Sequence, residues 1–162
     1  MTQFVQSAGP DRIGSRPKTT PSNPHIQLDQ QPTDDRARQH LLDLLAGLPV
    51  IWKPSAISVP GALALTLEPN SALGPKAAFM IGTEFAHLHP APDYSLHLIL
   101  PPARAEEVIS AGWAEQHPIA RLGYISSGAV MVYAPRDDNE VELVAEFVRE
   151  SCAYAIGVKS PH

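Results

Sequence analysis

Three histidines, His87, His89 and His97, stand in the otherwise largely apolar stretch "EFAHLHPAPDYSLHLILP" (84–101), in a chain that has only seven histidines. Imidazole is the side chain best suited to moving protons near neutral pH, and clustered rings lower one another's basicity by repulsion, which favours the neutral base. Imidazoles also ligate metals: two histidines one residue apart on a strand, with a third on the neighbouring strand, can hold zinc or iron. The ordinary alternative for any one ring is a solvated surface group or a satisfied core donor. A second polar cluster lies in "GWAEQHPIA", where Trp113, Glu115 and His117 alternate. An extended segment would present all three together, with the indole as an apolar wall and the carboxylate able to orient a histidine. The plain alternative there is an interface tryptophan beside surface charges. A third cluster, "VMVYAPRDD", puts Tyr133 and Arg136 near a strand end suited to stabilising an anion. Equally, Arg136 pairs with Asp137 or Asp138 and Tyr133 fills the core. No phosphate loop, dinucleotide-binding glycine signature or nucleophile elbow is present, so nucleotide use has no support.

These side chains meet only if particular elements position them. Phe85, His87 and His89 share one face of a strand, with Ala86 and Leu88 on the other; Ser95, His97 and Ile99 oppose Leu96, Leu98 and Leu100 on the next. A five-residue loop from Pro90 to Tyr94 sets His87 against His97 and His89 against Ser95, with paired β-carbons about 4.5–5.5 Å apart. A loop one residue shorter destroys that pairing. Glu84 has the wrong parity to join the histidines on a regular strand.

The rest of the chain predicts the frame. Thr33 or Asp34 caps a first helix with Leu41, Leu42, Leu45 and Leu48 as its apolar stripe, closed by Gly47 and Pro49. Strands are expected in "ISVPGALALTLE", in "AAFMIG" around Phe79 and in "SGAVMVYAP", the last apolar on both faces and hence central. A short helix begins at the prolines of "PPARAEEVISAGW" and stops at Gly112, and Asp137 and Glu140 open a final helix whose buried face carries Val141, Val144, Val148 and Cys152. The expected architecture is α+β, a mainly antiparallel sheet of about four to five strands with helices packed on one face. Residues 1–20 read as a disordered tail, 21–32 as an extended strap in which Ile26 and Leu28 alternate with His25 and Gln27, and 33–158 as a single domain.

Composition narrows the partners. The formal charge is −5, from 12 basic and 17 acidic residues, with no basic stripe to neutralise a phosphate backbone, so nucleic acid is not an expected partner. No apolar run approaches the roughly 20 residues of a membrane helix, and no signal-peptide hydrophobic region opens the chain. The single cysteine, Cys152, has no intramolecular partner for a disulfide. A cytoplasmic protein acting on a small molecule, without a membrane and with homo-oligomerisation left open, is the expectation.

At "SNPHIQLDQ", "SAISVPGALAL", "EFAHLHP", "SLHLILPP", "GWAEQHP" and "MVYAPRD" the chain resembles the luciferase-domain family, which includes the fungal luciferases and many uncharacterised bacterial proteins. The likeness spans roughly residues 20–157, and it is the order and combination of the motifs that is specific. For fungal members it implies addition of dioxygen to a hydroxylated pyranone, then loss of carbon dioxide and light, with no organic cofactor. This chain is short and lacks the hydrophobic N-terminal segment associated with those members, so light emission is not expected. Carried over by position, the resemblance makes His87, His89, His97 and His117 catalytic candidates, with His25, Trp113, Glu115, Tyr133 and Arg136 as substrate-binding candidates, and turns the strap into a pocket lid. The expectation is an oxygenase needing no cofactor beyond dioxygen, with clustered histidines as general base on an enolisable aromatic or pyranone-type molecule. The alternatives are a noncatalytic small-molecule binding protein and a metal-dependent enzyme with His87, His89 and His97 as ligands.

Overall fold

The computed structural model describes residues 9–158. One antiparallel sheet of six strands runs in the order β1-β2-β3-β4-β6-β5, built from β1 (Ile51–Pro54), β2 (Leu63–Thr66), β3 (Glu84–Leu88), β4 (Leu96–Ile99), β5 (Ala114–Gln116) and β6 (Ala129–Val132). Helices α1 (Arg36–Leu45), α2 (Pro102–Ser110) and α4 (Asp138–Ile156) supply the other layer, and a short α3 (Pro118–Arg121) follows β5. The class is α+β as expected, with one or two strands more than the sequence pattern indicates.

Alternation explains where the core sits. Leu65, Leu88, Leu96 and Leu98 pack with Leu41 and Leu45 of α1, Val108 of α2 and Val141, Val144 and Val148 of α4 in one buried cluster. Each fully buried leucine or valine contributes about 1.5–3 kcal/mol by leaving water, so this cluster is the main source of stability. Cys152 is buried here too, and burial raises its thiol pKa to about 11; it acts as a small apolar residue. Asp137 caps α4 by accepting from the Glu140 amide, and Gly157 ends that helix in the left-handed conformation that glycine tolerates best.

Some local expectations are corrected. "AAFMIG" forms no strand: Lys76–Ala78 is a single 3-10 turn behind Pro75, and only isolated pairing at Ile81 follows. The edge strand β1 is formed instead by "IWKP", which carries no alternation and is mostly exposed, so it shows no period-2 signal. The first helix has no side-chain bond at its cap residue, Asp35; the Asp34 carboxylate accepts from the Arg36 amide instead.

The N-terminal region departs most from expectation. Residues 18–28 fold back on themselves, with Thr19 bridged to Gln27 and backbone bonds from Thr20 to Ile26 and from Leu28 to Lys18. Residues 9–20, expected as tail, are fastened to the domain: the Arg12 amide donates to Ala111 O, the Trp113 indole donates to Pro10 O, and Arg16 donates to Ala114 O. Prolines and polar residues gave no apolar period there because the anchoring runs through hydrogen bonds. Residues 1–8 of that expected tail lie outside the described residues. In the strap it is the polar face that turns inward: His25 and Gln27 are buried while Leu28 is exposed.

Candidate functional site

The β3–β4 register is the one the five-residue loop requires. His87 pairs with His97, and the His89 amide donates to Ser95 O. The same row continues across the sheet, from Ala64 through His87, His97 and Met131 to Glu115. Side chains along such a row project to one face, so two adjacent histidines and, beyond Met131, a carboxylate emerge on it from three different strands.

One irregularity completes the row. Between β2 and β3 the pairing slips at Leu65/Thr66, so that Thr66 faces Glu84 and Phe85 is passed over. This bulge reverses the parity expected of both residues. Phe85 joins the leucine core rather than the histidine face, and Glu84 joins the histidines. A regular strand would have excluded Glu84; a bulge leaves no mark in the sequence pattern.

The strap then adds His25, and an unbroken chain of contacts results. Glu84 Oε2 lies 2.9 Å from His87 Nδ1, His87 Nε2 lies 3.1 Å from His97 Nδ1, His97 Nε2 lies 2.9 Å from His25 Nδ1, and His25 Nε2 lies 2.8 Å from Glu115 Oε2. His25 thus bridges β4 and β5 across Met131. Both terminal carboxylates are well held. Ser55 Oγ and the Ala56 amide donate to Glu84, while Thr19 Oγ1 and the Tyr133 hydroxyl donate to Glu115. Burial pushes each of these carboxyl groups up, but the hydrogen bonds outweigh it and leave both pKa values below the ordinary range.

His97 is the centre of the cluster. Its ring centroid lies 5.0 Å from that of His25, 5.1 Å from His87 and 4.7 Å from both His89 and His117. Complete burial, reinforced by repulsion from the four neighbouring rings, holds its pKa well below the usual histidine value. Burial also lowers His87, although Glu84 opposes the shift. His89 turns its Nδ1 the other way: it lies 3.1 Å from Ser95 Oγ, which donates to Asp93 Oδ1, and 2.8 Å from Asp93 Oδ2. His117 caps α3, its Nδ1 accepting from the Ile119 amide. An imidazole whose Nδ1 accepts carries its proton on Nε2 when neutral. Burial, then repulsion from His25, lowers the His117 pKa to about 4, so it is neutral at physiological pH.

Five of the seven histidines line one cavity of about 510 Å³. Its other walls include Ile57, Val59, Met80, Ile119, Ile125 and Val130, which makes it an apolar chamber with a polar floor. That combination is typical of small-molecule sites.

The sequence-predicted residues divide accordingly. His25, His87, His89, His97 and His117 converge on the cavity, with Glu115 and Tyr133 directly behind His25. Burial raises the Tyr133 hydroxyl to about 12, which keeps it a neutral donor to Glu115. Trp113 is not at the cavity; it sits in the leucine core with its indole on Pro10. Arg136 is not there either, nor does it pair with Asp137 or Asp138. Its guanidinium grips the Glu140 carboxylate and donates to Ile13 O, tying the N-terminal segment to α4. Sequence reasoning missed Glu84, Asp93 and the apolar wall. Asp93 had one signal: a carboxylate inside the loop that fixes the histidine register.

Residues 82–151 match the family model described as the luciferase domain, so the resemblance read from the sequence motifs is shown over that segment. The chain is also similar to luciferases of Armillaria mellea (37% identity over 73 residues), Armillaria gallica (36%) and Neonothopanus nambi (36%). Each of these matches covers 44% of this chain and only 27% of the fungal protein, so the chain spans about a quarter of the length of the curated relatives it matches. No solved structure matches. Residues 82–151 contain His87, His89, His97 and His117 with Glu84, Asp93 and Glu115; the strap with His25 and the cavity residues Ile57 and Val59 lie outside them.

Proposed function

We propose that the cavity binds a small enolisable molecule, aromatic or pyranone-like, and that the imidazole chain removes its proton so that the enolate reacts with dioxygen. The observation that carries this reading is a proton count. The chain from Glu84 to Glu115 has four hydrogen-bonded contacts, and three neutral imidazoles supply only three N–H groups. With both carboxylates ionised, one contact lacks its proton. A proton taken from substrate completes the chain, and the two terminal carboxylates stabilise the cation so formed. Burial weakens each ring as a base, and capture by the whole chain offsets that weakness.

In the proposed reaction the enolic proton passes to His87 or His97. The enolate carbon then gives its electron pair to dioxygen, forming a C–O bond; carbon is oxidised as dioxygen is reduced to the peroxide level, and the captured proton returns to the peroxide oxygen. His117 Nε2–H serves as a fixed donor to the developing oxyanion. No organic cofactor is part of this reading, and no light emission is proposed. The partial likeness to fungal luciferases supports dioxygen as co-substrate.

Oxygen uptake with hydroxypyranone substrates tests the reaction, and each of His87→Ala and His97→Ala should lower turnover by about 10²-fold or more. Binding of such molecules without oxygen uptake would make the protein a noncatalytic carrier. Undiminished turnover in both variants would exclude the imidazole base.

A further inference from the structure

The same proton count points to a cation. His87 Nδ1 faces Glu84, His89 Nδ1 faces Asp93, and His97 Nε2 faces His25, whose other nitrogen faces Glu115. When every N–H donates outward, to Glu84 from His87, to Ser95 Oγ beside Asp93 from His89 and through His25 to Glu115 from His97, each ring is neutral. Three lone pairs then remain, on His87 Nε2, His89 Nε2 and His97 Nδ1, and none has a proton left to receive. The His87 and His97 members of this set approach to 3.1 Å, a separation at which two bare lone pairs repel.

We propose that His87 Nε2, His89 Nε2 and His97 Nδ1 together bind a divalent first-row transition ion such as zinc. One ligating nitrogen from each of these buried rings lies within 4.8 Å of the other two. Nitrogens bound at about 2.0–2.1 Å to one ion stand about 2.8–3.4 Å apart for angles between octahedral and tetrahedral, so the 3.1 Å pair already has ligand spacing. The second torsion of histidine is soft, so a small shift of the His89 ring, within reach of its Nδ1 partners, suffices to bring its other nitrogen to the ion.

What makes the set a built site is the ring of partners behind it. A histidine ligand donates its other N–H to a carboxylate or comparable acceptor, which fixes its tautomer and its aim. Glu84 does this for His87, Ser95 Oγ backed by Asp93 for His89, and the His25–Glu115 pair for His97. A second trio, His25, His97 and His117, is equally close in space. It fails on chemistry: His117 Nδ1 accepts from the Ile119 amide, so Nε2 must keep its proton and cannot ligate. Three protein ligands leave further coordination positions toward the cavity, the arrangement of an open rather than a closed metal centre. The proposal rests on the same cavity but replaces the base of the reaction above: an ion on His87 Nε2 and His97 Nδ1 takes the lone pairs that would receive the proton and puts its own positive charge there, while His117 and the cavity walls keep their roles.

The test uses the full chain without an affinity tag, stripped with a chelator and dialysed. Titration with cobalt(II) should give one equivalent of binding with visible absorption of low-symmetry coordination, displaced by zinc(II). His89→Ala should weaken that binding by 10²-fold or more, and Glu84→Gln by about 10- to 100-fold. His117→Asn should retain it. A rise in wild-type melting temperature with zinc(II) is an independent readout should the His89 variant fold poorly. Absence of stoichiometric cobalt in wild type, binding unaffected by His89→Ala, or loss of binding in His117→Asn would each overturn the proposal. Oxygen uptake by protein that takes up no stoichiometric cobalt would remove the metal site and leave the reaction; stoichiometric cobalt with no oxygen uptake by the metal-free protein would do the reverse.

Discussion

On one side of the β3–β4 hairpin stand Leu88, Leu96 and Leu98, and on the other His87 and His97, and all five are at most 4% exposed. Burial is equal, but the physics differs. The leucine side gains from area removed from water and asks only for volume and shape. The histidine side gains little from burial itself, and each ring remains there because its nitrogens face named partners. The leucine face therefore tolerates substitutions that conserve volume, whereas on the histidine face any change of hydrogen-bonding capacity spreads along the chain to Glu84 and Glu115.

The largest effect expected on this contrast is from Leu98→Ala, which leaves a cavity in the core and should cost about 2–5 kcal/mol in urea denaturation while leaving turnover per folded molecule intact. If that variant lost turnover as His97→Ala does, the two faces would not be separable. His97→Ala should act the other way round: turnover falls by about 10²-fold or more, and stability by about 1–3 kcal/mol because His87 and His25 each lose a partner. A purely structural His97 would lower stability alone.

Acid should expose the same contrast. The folded pKa of His117, about 4, lies below its ordinary 6.5, and those of His97 and His87 are lowered as well. A depressed histidine pKa gives stability that is full above the unfolded value and lost as pH falls toward the folded one. Stability measured by urea denaturation should therefore decline from pH 6.5 toward 4, with the loss of Glu84, Glu115 and Asp93 pairing adding to it below the ordinary carboxylate range. His117→Asn should flatten the slope between pH 6.5 and 4; an unchanged slope would place the titration elsewhere. The smallest effect belongs to Leu98→Met, with under about 1.5 kcal/mol lost and turnover unaltered.

Much of this was legible in the chain. Period-2 alternation in "HLHP" and "SLHL", together with the length of "PAPDY", fixed which rings face each other, because strand parity and loop length are local properties. The final helix and its cap were legible for the same reason. Glu84 was not, since a bulge is set by the fit between two strands and not by the pattern of either one. Arg136 was misread because several acidic residues lay within its reach, and only the packing of α4 against the N-terminal segment selected Glu140 and Ile13 O.

The sequence by itself determined that histidines and leucines would part to opposite faces of one hairpin, and the 43% of the chain matched by the family model includes that hairpin (70 of 162 residues). Tertiary structure decided that the histidine face becomes a closed network. His25 arrives from a strap 72 residues away from His97, and Glu115 from a strand two places across the sheet. No periodicity reports such meetings, because hydrogen bonds between distant segments depend on where side-chain nitrogens end in space and not on the spacing of residues along the chain.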